Sequence, residues 1–133
     1  MVWMKFTKII FLLLTLFLIY GCTSSKDKHI SSVEIKFKET SINHTFIIEI
    51  NPLDQPQHLD YIAMENANLF HTNKNQEATI IFERNIRYNI KIYKTSSNNY
   101  SDIKEGNYKP YMNNVIYENE HSFNDEMDVL IIE

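Results

Sequence analysis

From residue 32 to residue 39 the chain reads Ser-Val-Glu-Ile-Lys-Phe-Lys-Glu, apolar and polar residues in strict alternation. Successive side chains of an extended strand point to opposite faces, so this period of two sets Val33, Ile35 and Phe37 on one side and the charges on the other. That is a half-buried antiparallel strand, and it requires a second layer to cover its apolar side. Residues 45–50 form another strand, apolar on both faces and therefore central. Asn51 and Pro52 stop it, because proline cannot donate to the ladder. Residues 79–82, 88–94, 114–117 and 128–132 carry the same signal, and a strand near Leu69 brings the set to six or seven.

This pattern predicts a mainly β fold: a small antiparallel two-layer sandwich of about six or seven strands with one short helix. Two stretches stay open between helix and strand. Over 59–70, Leu59, Ile62, Ala63, Asn66 and Phe70 fall at helical spacing, which reads as a short helix or an irregular crossover. Over 84–94, Arg84, Arg87, Lys91 and Lys94 are compatible with one helical face. The run Tyr-Asn-Ile-Lys-Ile-Tyr is rich in β-formers, and the strand reading turns Tyr88, Ile90 and Ile92 inward. Beyond residue 21 the only glycine is Gly106, so turns fall to the fifteen asparagines, which tolerate the left-handed region. Several stand where the strand pattern pauses, at 73–75, 98–99 and 113–114.

The first 21 residues belong to a different problem. Lys5 and Lys8 precede a 12-residue apolar run over 9–20, broken only by Thr15. A basic start and a run of this length read as a secretory signal, whereas a membrane-spanning helix needs about 20 apolar residues. Met4-Lys5-Phe6 reads more like a usual signal start than Met1-Val2-Trp3, which favours initiation at Met4 while leaving Met1 open. The run ends in Ile19-Tyr20-Gly21-Cys22, which resembles the lipobox of bacterial lipoproteins, although Tyr20 stands where that family prefers a small residue. The resemblance implies cleavage before Cys22, a diacylglycerol on its thiol and acylation of the new N-terminus. In that family an Asp after the Cys retains the protein in the inner membrane. Thr23 stands there instead, which points to the outer membrane and a domain facing the periplasm. An uncleaved anchor, a plain secretory signal or a free buried Cys22 are the other readings of the segment.

The implied organisation is a signal peptide at 1–21, a lipidated N-terminus and flexible tether at 22–32, and a single β-rich domain at 33–133. Without the signal, 11 basic and 17 acidic residues leave a charge of −6. Residues 22–117 balance at 11 of each sign, so all of the excess lies in 118–133. An acidic domain outside the cytoplasm offers no basic face to nucleic acid.

Catalytic constellations are missing from the sequence. A nucleophile elbow or a phosphate-cradling loop needs glycines that the chain lacks. Its one thiol is the lipidation site. The five histidines, 29, 44, 58, 71 and 121, show no zinc-type spacing. Local candidates for ligation are His58 with Asp60 and His121 with Glu118 and Glu120, but in a strand the last two face away from His121. Asn43-His44-Thr45 and Asn99-Tyr100-Ser101 match a glycosylation pattern that a bacterial lipoprotein does not use. No enzyme activity, metal or cofactor is implied.

Binding remains. Residues 97–119 carry Tyr100, Tyr108, Tyr111 and Tyr117 among six asparagines, a mix like that of recognition loops. After Lys109 there is no Lys or Arg, while Glu118, Glu120, Asp125, Glu126, Asp128 and Glu133 are acidic, which favours encounter with a basic protein partner. Arg84, Arg87, Lys91 and Lys94 would offset this field if the two segments pair. In size and signal the chain resembles the immunity lipoproteins that shield a periplasm from delivered toxins, with no shared motif. A structural or assembly lipoprotein of an envelope or secretion complex is the alternative.

Overall fold

The computed structural model describes residues 28–38, 43–59 and 66–133. Among them seven strands follow in chain order: β1 Ile30–Phe37, β2 His44–Pro52, β3 Leu69–His71, β4 Ala78–Glu83, β5 Arg87–Ser96, β6 Val115–Ser122 and β7 Met127–Ile132. They make two sheets, one ordered β4-β1-β7 and the other β3-β2-β5-β6. The fold is the mainly β sandwich that the alternation implies.

Each sheet turns its apolar side inward. Val33 and Ile35 of β1 are fully buried against Phe46, Ile48 and Ile50 of β2 and Tyr88, Ile90 and Ile92 of β5. Phe37, half-buried at the end of β1, stacks on Phe46 with ring centroids 3.8 Å apart. The second strand is central because its outer face is covered too. Ile47 there meets Tyr93, Ile103 and Tyr108 in a second apolar cluster. Pro52 is the last residue of β2, paired with Tyr88, where a missing donor costs the ladder least.

Four readings change. The sheet is not wholly antiparallel: β7 runs parallel to β1, with Ile35 beside Leu130. The chain leaves β6 at the edge of one sheet, turns over residues 123–126 and enters the other beside β1, so the corner sets the direction. The turn is pinned where the Ser32 N–H donates to the Glu126 carbonyl at 2.9 Å. Strand β6 runs on to Ser122, past the boundary read at residue 117, so Glu118 and Glu120 belong to it. β1 begins at Ile30, ahead of the boundary read at Val33, and Ser31 within it is fully buried.

The fourth concerns helix. Of the helix or crossover read over 59–70, residues 60–65 lie outside the described residues. Leu69 and Phe70 belong to β3. A short helix occurs elsewhere, α1 at Tyr100–Lys104, in the stretch read as a recognition loop. Gly106 closes it with φ +93°: its N–H donates to the Ile103 carbonyl and that of Asn107 to the Asp102 carbonyl, each at 3.0 Å. This reciprocal pair needs a left-handed residue after the helix, and the single glycine of the domain stands there. Among the described residues the left-handed positions outside glycine are Asn66, Asn85 and Gln76.

Among the described residues one buried side-chain group is unsatisfied. The Ser31 Oγ, on the inner face of β1 opposite Phe82, has no hydrogen-bond partner. Ser31→Ala removes an unpaid desolvation and is expected to stabilise the fold by about 1 kcal/mol. In thermal unfolding that is a midpoint raised by roughly 4–8 °C. A lowered midpoint would mean that the hydroxyl is satisfied in solution.

Candidate functional site

Two surfaces collect the residues that sequence reasoning singled out, and they lie on opposite lateral sides of the sandwich. One side is formed by β6 and β7, the last strands of their sheets, and the other by β3 and β4.

On the β6–β7 side, alternation along β7 turns Asp128, Leu130 and Ile132 inward and Met127, Val129 and Ile131 outward. Met127, Val129 and Ile131 are 77%, 49% and 54% exposed. They form an apolar stripe on an edge strand whose far side is unpaired among the described residues. Lys38 forms an ion pair with Glu133 at the end of this strand. Next to the stripe, residues 123–126 carry the exposed Asp125 and Glu126. Asp128 is half-buried and caps the next backbone, its Oδ1 accepting from the Val129 N–H at 2.8 Å.

Glu118 and Glu120 point away from the core of β6, and there the acidic charge is partly offset. β5 and β6 pair, setting Lys91 beside Glu118 and Asn89 beside Glu120. The Asn89 amide donates to Glu118 at 3.1 Å. Lys91 lies over the Tyr93 ring, and the Tyr93 hydroxyl donates to Glu49 at 2.7 Å. Burial, then the Glu49 carboxylate, hold that phenol protonated far above its ordinary range. Arg87 is committed to Asp54, which it grips with both guanidinium and backbone N–H groups. The polar outer face of this sheet is therefore internally paired, whereas the outer face of β7 is not.

The four tyrosines do not form one patch. Tyr117 lies on the inner side of β6, its hydroxyl 2.5 Å from His121 Nε2. Burial lowers the His121 pKa, so the ring is neutral at pH 7. Because β6 is a strand here, Glu118 and Glu120 face out while His121 stacks inward on Phe123, and the three do not converge. Tyr111 donates to Asp102 at 2.5 Å, an interaction that raises its pKa. Tyr108, expected at a recognition surface, is only 8% exposed and packs with Ile103 on Ile47 and Tyr93.

On the β3–β4 side, Tyr100 and Tyr108 come together with residues far away in sequence. A cleft of about 380 Å³ is lined by Phe70, His71, Glu77 and Thr79 as well as by the two tyrosines. The Tyr100 ring meets His71 edge to face at 5.9 Å, and Tyr108 lies 6.3 Å from the same imidazole. His71 Nδ1 sits 2.9 Å from the Thr72 carbonyl, which calls for the proton on that nitrogen.

The loop between β3 and β4 is built to hold its shape. Asn73 Oδ1 accepts from the N–H groups of Asn75 and Glu77 at 2.9 and 3.0 Å, and the Asn73 N–H donates to the Glu77 carbonyl at 2.8 Å. Thr72 is fully buried, its Oγ1 accepting from the Phe46 N–H. Lys74 leaves this loop to place its ammonium 5.8 Å from the centre of the Tyr100 ring. Asparagine at the start of a four-residue turn was the one local signal; His71 and Glu77 gave none.

Among the described residues no three His, Cys, Asp or Glu side chains group as a metal site. Asp60, the proposed companion of His58, lies outside them. His58 stacks on His29 instead, ring centroids 4.1 Å apart. Comparison with protein families, with characterised proteins and with solved structures finds no match.

Proposed function

We propose that this chain is a lipoprotein of the bacterial cell envelope, anchored at the outer membrane through Cys22 and facing the periplasm, which binds a protein partner. The observation that carries the reading is the exposed Met127, Val129 and Ile131 stripe on the open edge strand β7. Unpaired strand edges accept an added strand, and exposed apolar residues beside them supply contact area. The acidic residues 118–133 select among partners. A second copy would set the exposed Asp125 and Glu126 against acidic residues of its own kind, whereas a strand with basic flanks meets complementary charge.

An inhibitor with one secreted target, such as a toxin-neutralising immunity protein, uses such a surface for one tight complex. An assembly accessory engages several envelope proteins. Affinity purification from detergent-solubilised membranes, read by mass spectrometry, separates the two. The inhibitor reading expects one dominant partner, and Val129→Lys with Ile131→Lys is expected to weaken its binding by at least about 30-fold. Full retention of the partner by this double variant would move the interface off β7.

A further inference from the structure

We infer that the cleft between β3, β4 and α1 binds an organic cation, an alkylammonium or guanidinium group. This site stands apart from the β7 surface, on the opposite side of the sandwich. Its walls are aromatic, with Tyr100 and Tyr108 each within ring-contact distance of His71. The negative face of an aromatic ring attracts a cation within about 6 Å. Glu77 adds a full negative charge at the lining and has no ionic partner among the described residues. The Tyr108 hydroxyl, on a side chain otherwise buried, is likewise without a hydrogen-bond partner there.

The protein already shows which ligand the site prefers. Lys74 reaches from the rim to set its own ammonium over the Tyr100 ring. Lys74 does not itself line the cleft, so it competes for that ring from outside rather than filling the site. An anion would be repelled by Glu77, and a purely apolar ligand would leave both Glu77 and the Tyr108 hydroxyl unanswered. The volume, about 380 Å³, falls at the small end of ligand pockets. The clamp of Asn73 on the Glu77 N–H fixes the carboxylate's backbone before any ligand arrives, which lowers the ordering cost of binding.

The cation comes either from a free amine or from a Lys or Arg side chain of a protein, and the two share this chemistry. The test is a titration of the isotope-labelled full chain in detergent, followed by NMR. The probes are choline and capped arginine, each beside its neutral isostere, 3,3-dimethylbutanol and capped citrulline. Both cations are expected to shift Tyr100, Tyr108 and His71, and to bind roughly tenfold tighter than their isosteres. Preference for capped arginine assigns the site to a protein side chain; preference for choline assigns it to a free amine. Lys74→Ala, on an exposed loop, is expected to tighten either cation about threefold or more, and Tyr100→Leu to weaken it about tenfold. Equal binding of the neutral isosteres, or weaker binding after Lys74→Ala, overturns the inference. So does a neutral disaccharide that shifts the same signals when neither cation does.

Discussion

Replacing Glu83 by glutamine is expected to cost the fold about 3 kcal/mol, a large part of the roughly 5–15 kcal/mol that holds a domain of this size together. Glu83 ends β4 and is 4% exposed. Its carboxylate accepts the backbone N–H groups of Gln57, His58 and Leu59 at 2.9, 3.0 and 3.3 Å to one oxygen, with Gln57 shared at 3.1 Å to the other. No cation forms an ion pair with it among the described residues. A run of backbone N–H groups converging on a carboxylate is an anion nest, and here the anion is part of the chain. Burial alone would raise the Glu83 pKa, but the three backbone donors outweigh it and hold the pKa below the ordinary glutamate value.

The pH dependence follows from that direction. A carboxyl with a depressed pKa in the folded state binds fewer protons there than when unfolded, so it stabilises the fold above its unfolded pKa. That contribution is lost as pH falls through the folded value, in the acid range. Urea unfolding of wild type and Glu83→Gln at a series of pH values checks both parts. The variant is expected to start lower at neutral pH and to lose less on acidification. A difference under about 0.5 kcal/mol, or an unchanged acid slope, would mean that water replaces the clamp at little cost.

The strands were legible in the sequence because their signal is local. The alternation at Val33, Ile35 and Phe37 needs no knowledge of what lies opposite, and it survives intact in β1. The stretch from Tyr88 to Lys94 was ambiguous in period but not in composition, and its β-formers decided it. Direction was not legible: nothing in residues 127–132 distinguishes a strand parallel to β1 from one antiparallel to it, since that depends on how the corner at 123–126 is turned. Tyr108 illustrates the other loss. Among Asn, Lys and Pro it reads as a loop residue, and only the approach of Ile47 and Tyr93 from two other strands buries it. The cleft was illegible for the same reason, because Tyr100 meets His71 and Glu77 only after the α1 segment folds over the sheet.

Substituting Cys22 by serine is expected to move nearly all of the chain from the membrane fraction to the soluble fraction. No helix among the described residues is long and apolar enough to cross a membrane. The proposed anchor is the acyl chains on Cys22, each buried methylene adding about 0.8 kcal/mol, and two or more chains are needed for stable attachment. Persistent membrane association of Cys22→Ser would refute the lipoprotein reading while leaving the β7 surface and the cleft untouched. The proposed anchor would also orient the domain. From Cys22 to Ile30 the chain spans at most about 29 Å, which would keep the start of β1 near the bilayer. Because β7 is parallel to β1, Met127 lies beside Ser32 at that same end, and with the proposed anchor the acidic corner at 123–126 would be membrane-proximal. β4 runs the other way, pairing Ala78 with Ile35, so the loop that carries residue 74 enters β4 at the far end. A spin label at residue 125 is therefore expected to be broadened more by a membrane-bound relaxation agent than one at residue 74. The reverse order would place that loop, not the acidic corner, against the membrane.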